Sequence, residues 1–181
     1  ESHMKIYIVE NNICGYLGHF FNMALGLKEN FEKIGIESSV LVNQKADADV
    51  CKKLQGKAIF PNCFWESEKE PDAVSAMHLY GKRFAEVLST VESITGDDWL
   101  IVTTAFQDQV FGVAAYLETL SPDNRPNVLF YIQWSNWRMR PDFAPAWKEA
   151  CARISAISGT KSIIFAGLTE QLTQDFTQTT G

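Results

Sequence analysis

Gly15, Gly18 and His19 open the stretch GYLGHFFNMALGLKENFEKIG, which runs from Gly15 to Gly35. Glycines at such a turn let a backbone pass close to a ligand without side-chain obstruction. The helical pattern that follows would present free N–H groups and a partial positive charge, a setting suited to a phosphate. An imidazole at the helix entrance can take a proton from a hydroxyl near neutral pH. Three roles are open for His19: general base, noncatalytic ligand contact, or a residue that hydrogen-bonds its own first helical turn.

A second group of chemically capable residues lies at QWSNWRMRP, Gln133 to Pro141, directly after an apolar run. Trp134 and Trp137 offer flat faces for a sugar ring, and Arg138 and Arg140 offer charge for phosphate or carboxylate. The competing arrangement is a loop pinned in the core by Trp137 with both arginines in water. Trp65 is a weaker copy of the same idea. His78, between Met77 and Leu79, reads as a packed or half-exposed helical histidine, and the run ESEKE at Glu66–Glu70 as a solvated loop.

Several chemistries fit the sequence poorly. Gly15 and Gly18 do not have the spacing of a dinucleotide fingerprint, and Asn43 and Gln44 stand where a ribose-binding acid would be needed. SGTKS, 158–162, has the letters of a phosphate-binding loop in the wrong order. Cys14, Cys51, Cys63 and Cys151 form no C-x-x-C pair, and 3 histidines are too few to complete a zinc site, so free thiols and no metal are expected. Lys and Arg number 16 against 22 Asp and Glu, a formal charge of −6 that becomes −5 once the leading Glu1 is set aside. That balance argues against nonspecific nucleic-acid binding, which needs a basic face. No apolar run approaches the roughly 20 residues of a membrane span, and no signal-peptide pattern follows Met4. The expected location is cytoplasmic, with peripheral membrane contact left open.

The elements that must position these residues alternate. ESHM at 1–4 reads as a tag remnant, leaving one domain over 5–181. KIYIVE, IESSVLV, KAIF, DDWLIVTTA, VLFYIQW and SIIFAG read as strands. Between them, Phe20, Ala24, Leu27, Phe31 and Ile34 predict one buried helical stripe, with Lys28, Glu29, Glu32 and Lys33 opposite and Gly35 as the C-terminal cap. A short helix is expected over Asp47–Gln55. PNCFWESEKEPD is expected as a loop. The longest helix should open at Pro71–Asp72 and carry Met77, Tyr80, Phe84, Val87 or Leu88, Val91 and Ile94 to a stop at Gly96. Further helices are expected over QDQVFGVAAYLETL, over PAWKEACARISAIS with Pro145 in its first turn, and over LTEQLTQDF with Thr169 as N-cap.

Strand and helix in regular alternation predict an α/β fold, a three-layer Rossmann-like sandwich with a mainly parallel, doubly wound sheet. Ligands in such sheets bind beyond the carboxyl ends of the strands. That edge is expected to draw on Glu10–Gly18, Pro61–Lys69, Thr103–Asp108, Gln133–Pro141 and Ala166–Thr169.

Gly18-His19, the patch Phe20 to Ala24, Leu25, Leu27, then Gly35 and the strand IESSVLV together resemble the opening of GT-B-type nucleotide-sugar glycosyltransferases. DDWLIVTTAFQDQVFGVAAYLETL, NVLFYIQW and SIIFAGLTEQLTQDF resemble later segments of that family's N-terminal, acceptor-side domain, so the layout covers nearly the whole chain. The resemblance implies transfer of a sugar from a nucleotide-sugar donor to a sugar, lipid-linked or protein acceptor. It implies no cofactor apart from the donor as substrate, and a donor-binding C-terminal domain beyond Gly181, without which this chain should not transfer sugar. In inverting relatives a histidine at the Gly-His position is the proposed or known base, which implies that role for His19. Gly15, Gly18, Thr104, Trp134, Trp137, Arg138 and Arg140 would then contact substrate. Some of those relatives orient the histidine with an aspartate at the end of the fourth strand. Here Thr103 and Thr104 stand there, with Asp108 four residues on. The alternatives are a noncatalytic Rossmann-like domain that binds a small molecule or partner, and a nucleotide-dependent oxidoreductase.

Overall fold

A computed structural model describes residues 3–16, 18–157 and 161–181. Part of ESHM, expected as a tag remnant, and most of SGTKS lie outside the described residues. The chain runs β1 (Ile6–Glu10), α1 (Phe20–Lys33), β2 (Ser38–Asn43), α2 (Ala48–Leu54), β3 (Lys57–Phe60), α3 (Phe64–Glu68), α4 (Ala73–Ser89), β4 (Trp99–Val102), α5 (Gln107–Glu118), β5 (Asn127–Ile132), α6 (Phe143–Ser155), β6 (Ile163–Gly167) and α7 (Glu170–Thr180). The six strands pair in parallel in the order β3-β2-β1-β4-β5-β6. This is the Rossmann-like, doubly wound sheet that the alternation predicts.

The two faces of the sheet have separate cores. Ile6, Ile8, Val40 and Val42 meet Phe21 and Ala24 of α1 and Val50 and Leu54 of α2 on one side. Tyr7, Val9, Leu100, Val102, Val128 and Phe130 meet α4, α5 and α6 on the other. Central strands buried on both faces lose the period-two signature and read as continuous apolar runs, which is why IYIVE is buried throughout. α4 and α5 approach so closely that a Cβ on Gly112 would lie 2.7 Å from the Gly81 carbonyl oxygen.

Four local expectations need correction. The buried face of α1 centres on Phe21, Ala24 and Lys28, while Leu27 and Phe31 are half-buried and Ile34 is 69% exposed. Lys28, expected in solvent, lays its aliphatic stem along the core and sends its ammonium to Glu32. Ile34 is the C-cap, where the chain leaves the helix axis. Gly35 follows at φ +78°, donating to Glu32 O while Ile36 donates to Phe31 O, the paired closure that a left-handed residue permits.

The segment expected as a loop contains α3, whose Phe64 is buried and stacks on Phe106 with ring centroids 3.9 Å apart. α4 ends at Ser89, so Val91 and Ile94 pack against the core from the following turn, and Tyr80 lies off the buried stripe. α6 begins at Phe143, two residues before Pro145, which still falls in the first turn, where a missing N–H breaks no helical bond. α7 is capped as expected, the Thr169 hydroxyl accepting from Leu172 N at 3.1 Å.

Candidate functional site

In this strand order the chain reverses direction across the sheet between β1 and β4, the point at which doubly wound sheets form a crevice beyond their strand ends. The β1–α1 loop brings His19 to that point. Gly18 has φ +76°, a conformation that a residue with a Cβ rarely adopts, so this glycine sets the path into the helix. A Cβ on Gly15 would lie 3.3 Å from Asp47 Oδ2. His19 is the N-cap of α1, but its side chain makes no bond to the first helical turn. Its imidazole reaches across the crevice instead.

His19 Nε2 lies 2.5 Å from Oε1 of Gln133, the first residue after β5. The Gln133 amide nitrogen donates to Thr103 O at 2.6 Å and to Thr104 Oγ1 at 3.1 Å. Those two bonds fix which end of the amide faces His19: an oxygen, which can only accept. The shared proton therefore sits on Nε2, and Nδ1 of a neutral ring keeps its lone pair. Beneath this pair, the Thr103 hydroxyl donates to Glu10 Oε2 at 2.6 Å. Burial pushes the Glu10 carboxyl above its usual range, against the pull of hydrogen bonds from Thr103, Thr104 and Asn12. A continuous polar chain thus joins Glu10, Thr103, Gln133 and His19 across the ends of β1, β4 and β5.

Aromatic side chains flank the imidazole. The His19 and Trp134 ring centroids are 5.4 Å apart, and Phe20 lies 6.1 Å from Trp134. Trp65, from α3, stands 6.5 Å from Trp134 at 72°, so the two indoles form a corner. Phe106 backs both of them. Trp65 and Trp134 remain 38% and 37% exposed, whereas Phe106 is buried.

The rest of the Gln133–Pro141 group is placed differently. Trp137 is buried, donates to Asp175 Oδ2 at 2.9 Å and packs on Trp147 and Phe176. It pins the loop and offers no face to a ligand. Arg138 grips Asp175 with two bonds of 2.9 and 2.6 Å, which holds the Asp175 carboxyl below its usual range. Arg140 is tied to Asp142 and to the carbonyls of Glu68, Glu70 and Pro71, fastening the α3–α4 connection to this loop. Both arginines already have anionic partners within the chain. The loop thus contributes Gln133 and Trp134 to the crevice, and uses Trp137, Arg138 and Arg140 to hold itself in place.

Asp108 lies buried in the first turn of α5 with Oδ1 unpartnered; burial raises its pKa to about 7, opposed by a hydrogen bond from Ser67. It lines a small cavity with Asn11, Asn62, Arg83 and Gln109, behind α3. His78 pairs with Glu149 at 2.6 Å on the helical layer. The four cysteines are half-buried free thiols, and no group of three metal-ligating side chains is present among the described residues. No helix among them is long and apolar enough to cross a membrane.

Sequence reasoning singled out His19, Trp134 and, more weakly, Trp65, whose rings gather at one corner, and Thr104, which reaches His19 through Gln133. It assigned no part in the site to Gln133, Glu10, Phe20 or Phe106 individually. A polar residue closing an apolar strand at the ligand edge was the available signal for Gln133. No family model, curated protein or solved structure matches this chain.

Proposed function

We propose that this domain binds the acceptor in a glycosyl transfer from a nucleotide sugar, as the N-terminal half of a GT-B-type enzyme, with His19 as the base. The single observation that supports this most is the bond from His19 Nε2 to Gln133 Oε1 at the β1–β4 crevice. A ring anchored through Nε2 presents Nδ1 outward. An acceptor hydroxyl placed there would pass its proton to Nδ1 as its oxygen attacks the sugar's anomeric carbon and the nucleotide leaves. The Gln133 oxygen, fixed by Thr103 and Thr104, keeps accepting from Nε2 as the ring becomes charged. In this arrangement a neutral amide from the end of β5 orients the histidine, the task that the resemblance gives to an aspartate at the end of the fourth strand.

The first turn of α1 has no side-chain cap, so its backbone N–H groups remain available to a donor phosphate. The donor's nucleotide would be held by a second domain, as the resemblance implies. The test is a transfer assay on the protein that carries this domain, with a panel of nucleotide sugars and hydroxyl acceptors, reading nucleotide release and glycosylated product together. Product that depends on both substrates is the expected result. A protein that binds acceptors and never turns over any donor would instead be a noncatalytic binding module.

A further inference from the structure

We infer that the corner formed by Trp65 and Trp134 is a subsite for an uncharged pyranose ring, which makes the acceptor of the proposed transfer a neutral glycan or glycoside. This rests on the transferase reading only for the word acceptor; the subsite itself stands on the geometry.

Two indoles set at 72° with centroids 6.5 Å apart offer a floor and a wall, and Phe20 extends the apolar surface beside Trp134. A pyranose presents a patch of C–H bonds on its faces and hydroxyls around its rim. The faces suit flat aromatic surface, and the rim needs donors and acceptors at the edge of that surface. Such groups stand beside Trp134: the His19 ring at 5.4 Å, with Gln133 bonded to it. The platform is held rigid from behind by Phe106, stacked in turn on Phe64. Both indoles nevertheless keep more than a third of their surface open.

Charge decides the class of ligand. Between the carboxyl end of each strand and the next helix the chain carries Lys45, Arg138 and Arg140 as its Lys and Arg residues. Lys45 pairs with Glu66 at 3.2 Å, Arg138 with Asp175 and Arg140 with Asp142. A phosphorylated or acidic sugar on the platform would therefore find these three side chains already paired, with Lys69, the C-cap of α3, lying outside them, while a neutral ring needs none.

The experiment is a titration of this chain, followed through the indole Nε1–H signals by NMR. The probes are the methyl pyranosides of glucose, galactose, mannose and N-acetylglucosamine, with glucose 6-phosphate and uridine alongside. At least one neutral glycoside should move the Trp65 and Trp134 signals and leave Trp147, buried at 0% exposure, unmoved. Trp134→Ala should weaken that binding about tenfold, on the order of one lost aromatic contact. The inference is overturned if none of the four glycosides moves either signal, if glucose 6-phosphate or uridine binds there more tightly than every neutral glycoside, or if Trp134→Ala binds as well as the wild type. Absence of sugar transfer with glycoside binding intact would count against the transferase alone.

Discussion

His19 was legible in the sequence because a histidine between a glycine turn and a helix is a short-range feature. Gln133 was not, because its role depends on a contact with a residue 114 positions away, created by the crossing of three strand ends. Trp137 and Arg138 show the reverse case: their types suggested ligand contact, but Asp175 in α7 takes both, and no local pattern announces a partner so distant in sequence. Asp108 carries a prediction of its own. Its pKa is raised from the ordinary 3.8 to about 7 by burial, so the folded state holds a proton there that the unfolded chain releases at lower pH. Folding stability should then fall as pH rises from about 4 to about 7 and level off above, by at most about 4 kcal/mol from this group. Carboxylates held below their usual range, such as Asp142 and Asp175, work in the opposite sense, so the measurement is the difference between wild type and Asp108→Asn. Urea unfolding at pH 5 and pH 8 should show the variant gaining stability relative to wild type at the higher pH. An identical pH dependence of the two proteins would contradict the assignment.

At the scale of elements, periodicity located α1 but misjudged its rotation by about one residue. Leu27, Phe31 and Ile34 suggested a stripe, yet Phe21 and Lys28 flank Ala24 at the centre of the contact, because a lysine stem can serve as core surface. Phe21→Ala should accordingly cost about 3–5 kcal/mol, and Ile34→Ala no more than about 0.5 kcal/mol. Equal losses in thermal or urea unfolding would return the helix to the predicted orientation. α3 escaped detection because five residues, two of them Glu, give no helical period, and its position is fixed by Phe64 and by Arg140 from outside. The close pairing of α4 and α5 was equally hidden, since Gly81 and Gly112 signal close approach only when they face each other. Gly112→Ala should destabilise by about 1–3 kcal/mol, because a Cβ there meets backbone and the Phe84 ring. A neutral outcome would mean that the two helices can separate freely.

For the molecule as a whole, the alternation of apolar runs with helical patterns was enough to give a parallel sheet and the loops at its strand carboxyl ends, because crossover connections leave few arrangements. The sheet then brings together residues from five segments, and only the side-chain pairing chooses which of them form the crevice. If the donor's nucleotide belongs to a second domain, this chain should bind nucleotide sugars weakly. Calorimetric titration yielding a dissociation constant below about 1 μM, near −8 kcal/mol, would mean that a complete donor site lies within it. The most direct test of the central claim is the turnover of His19→Ala in the protein that carries this domain, measured at saturating donor and acceptor. Loss of the base should lower kcat by roughly 100-fold or more, with the KM for acceptor changed little. Full turnover in that variant, or a loss confined to KM, would contradict the assignment of His19 as the base.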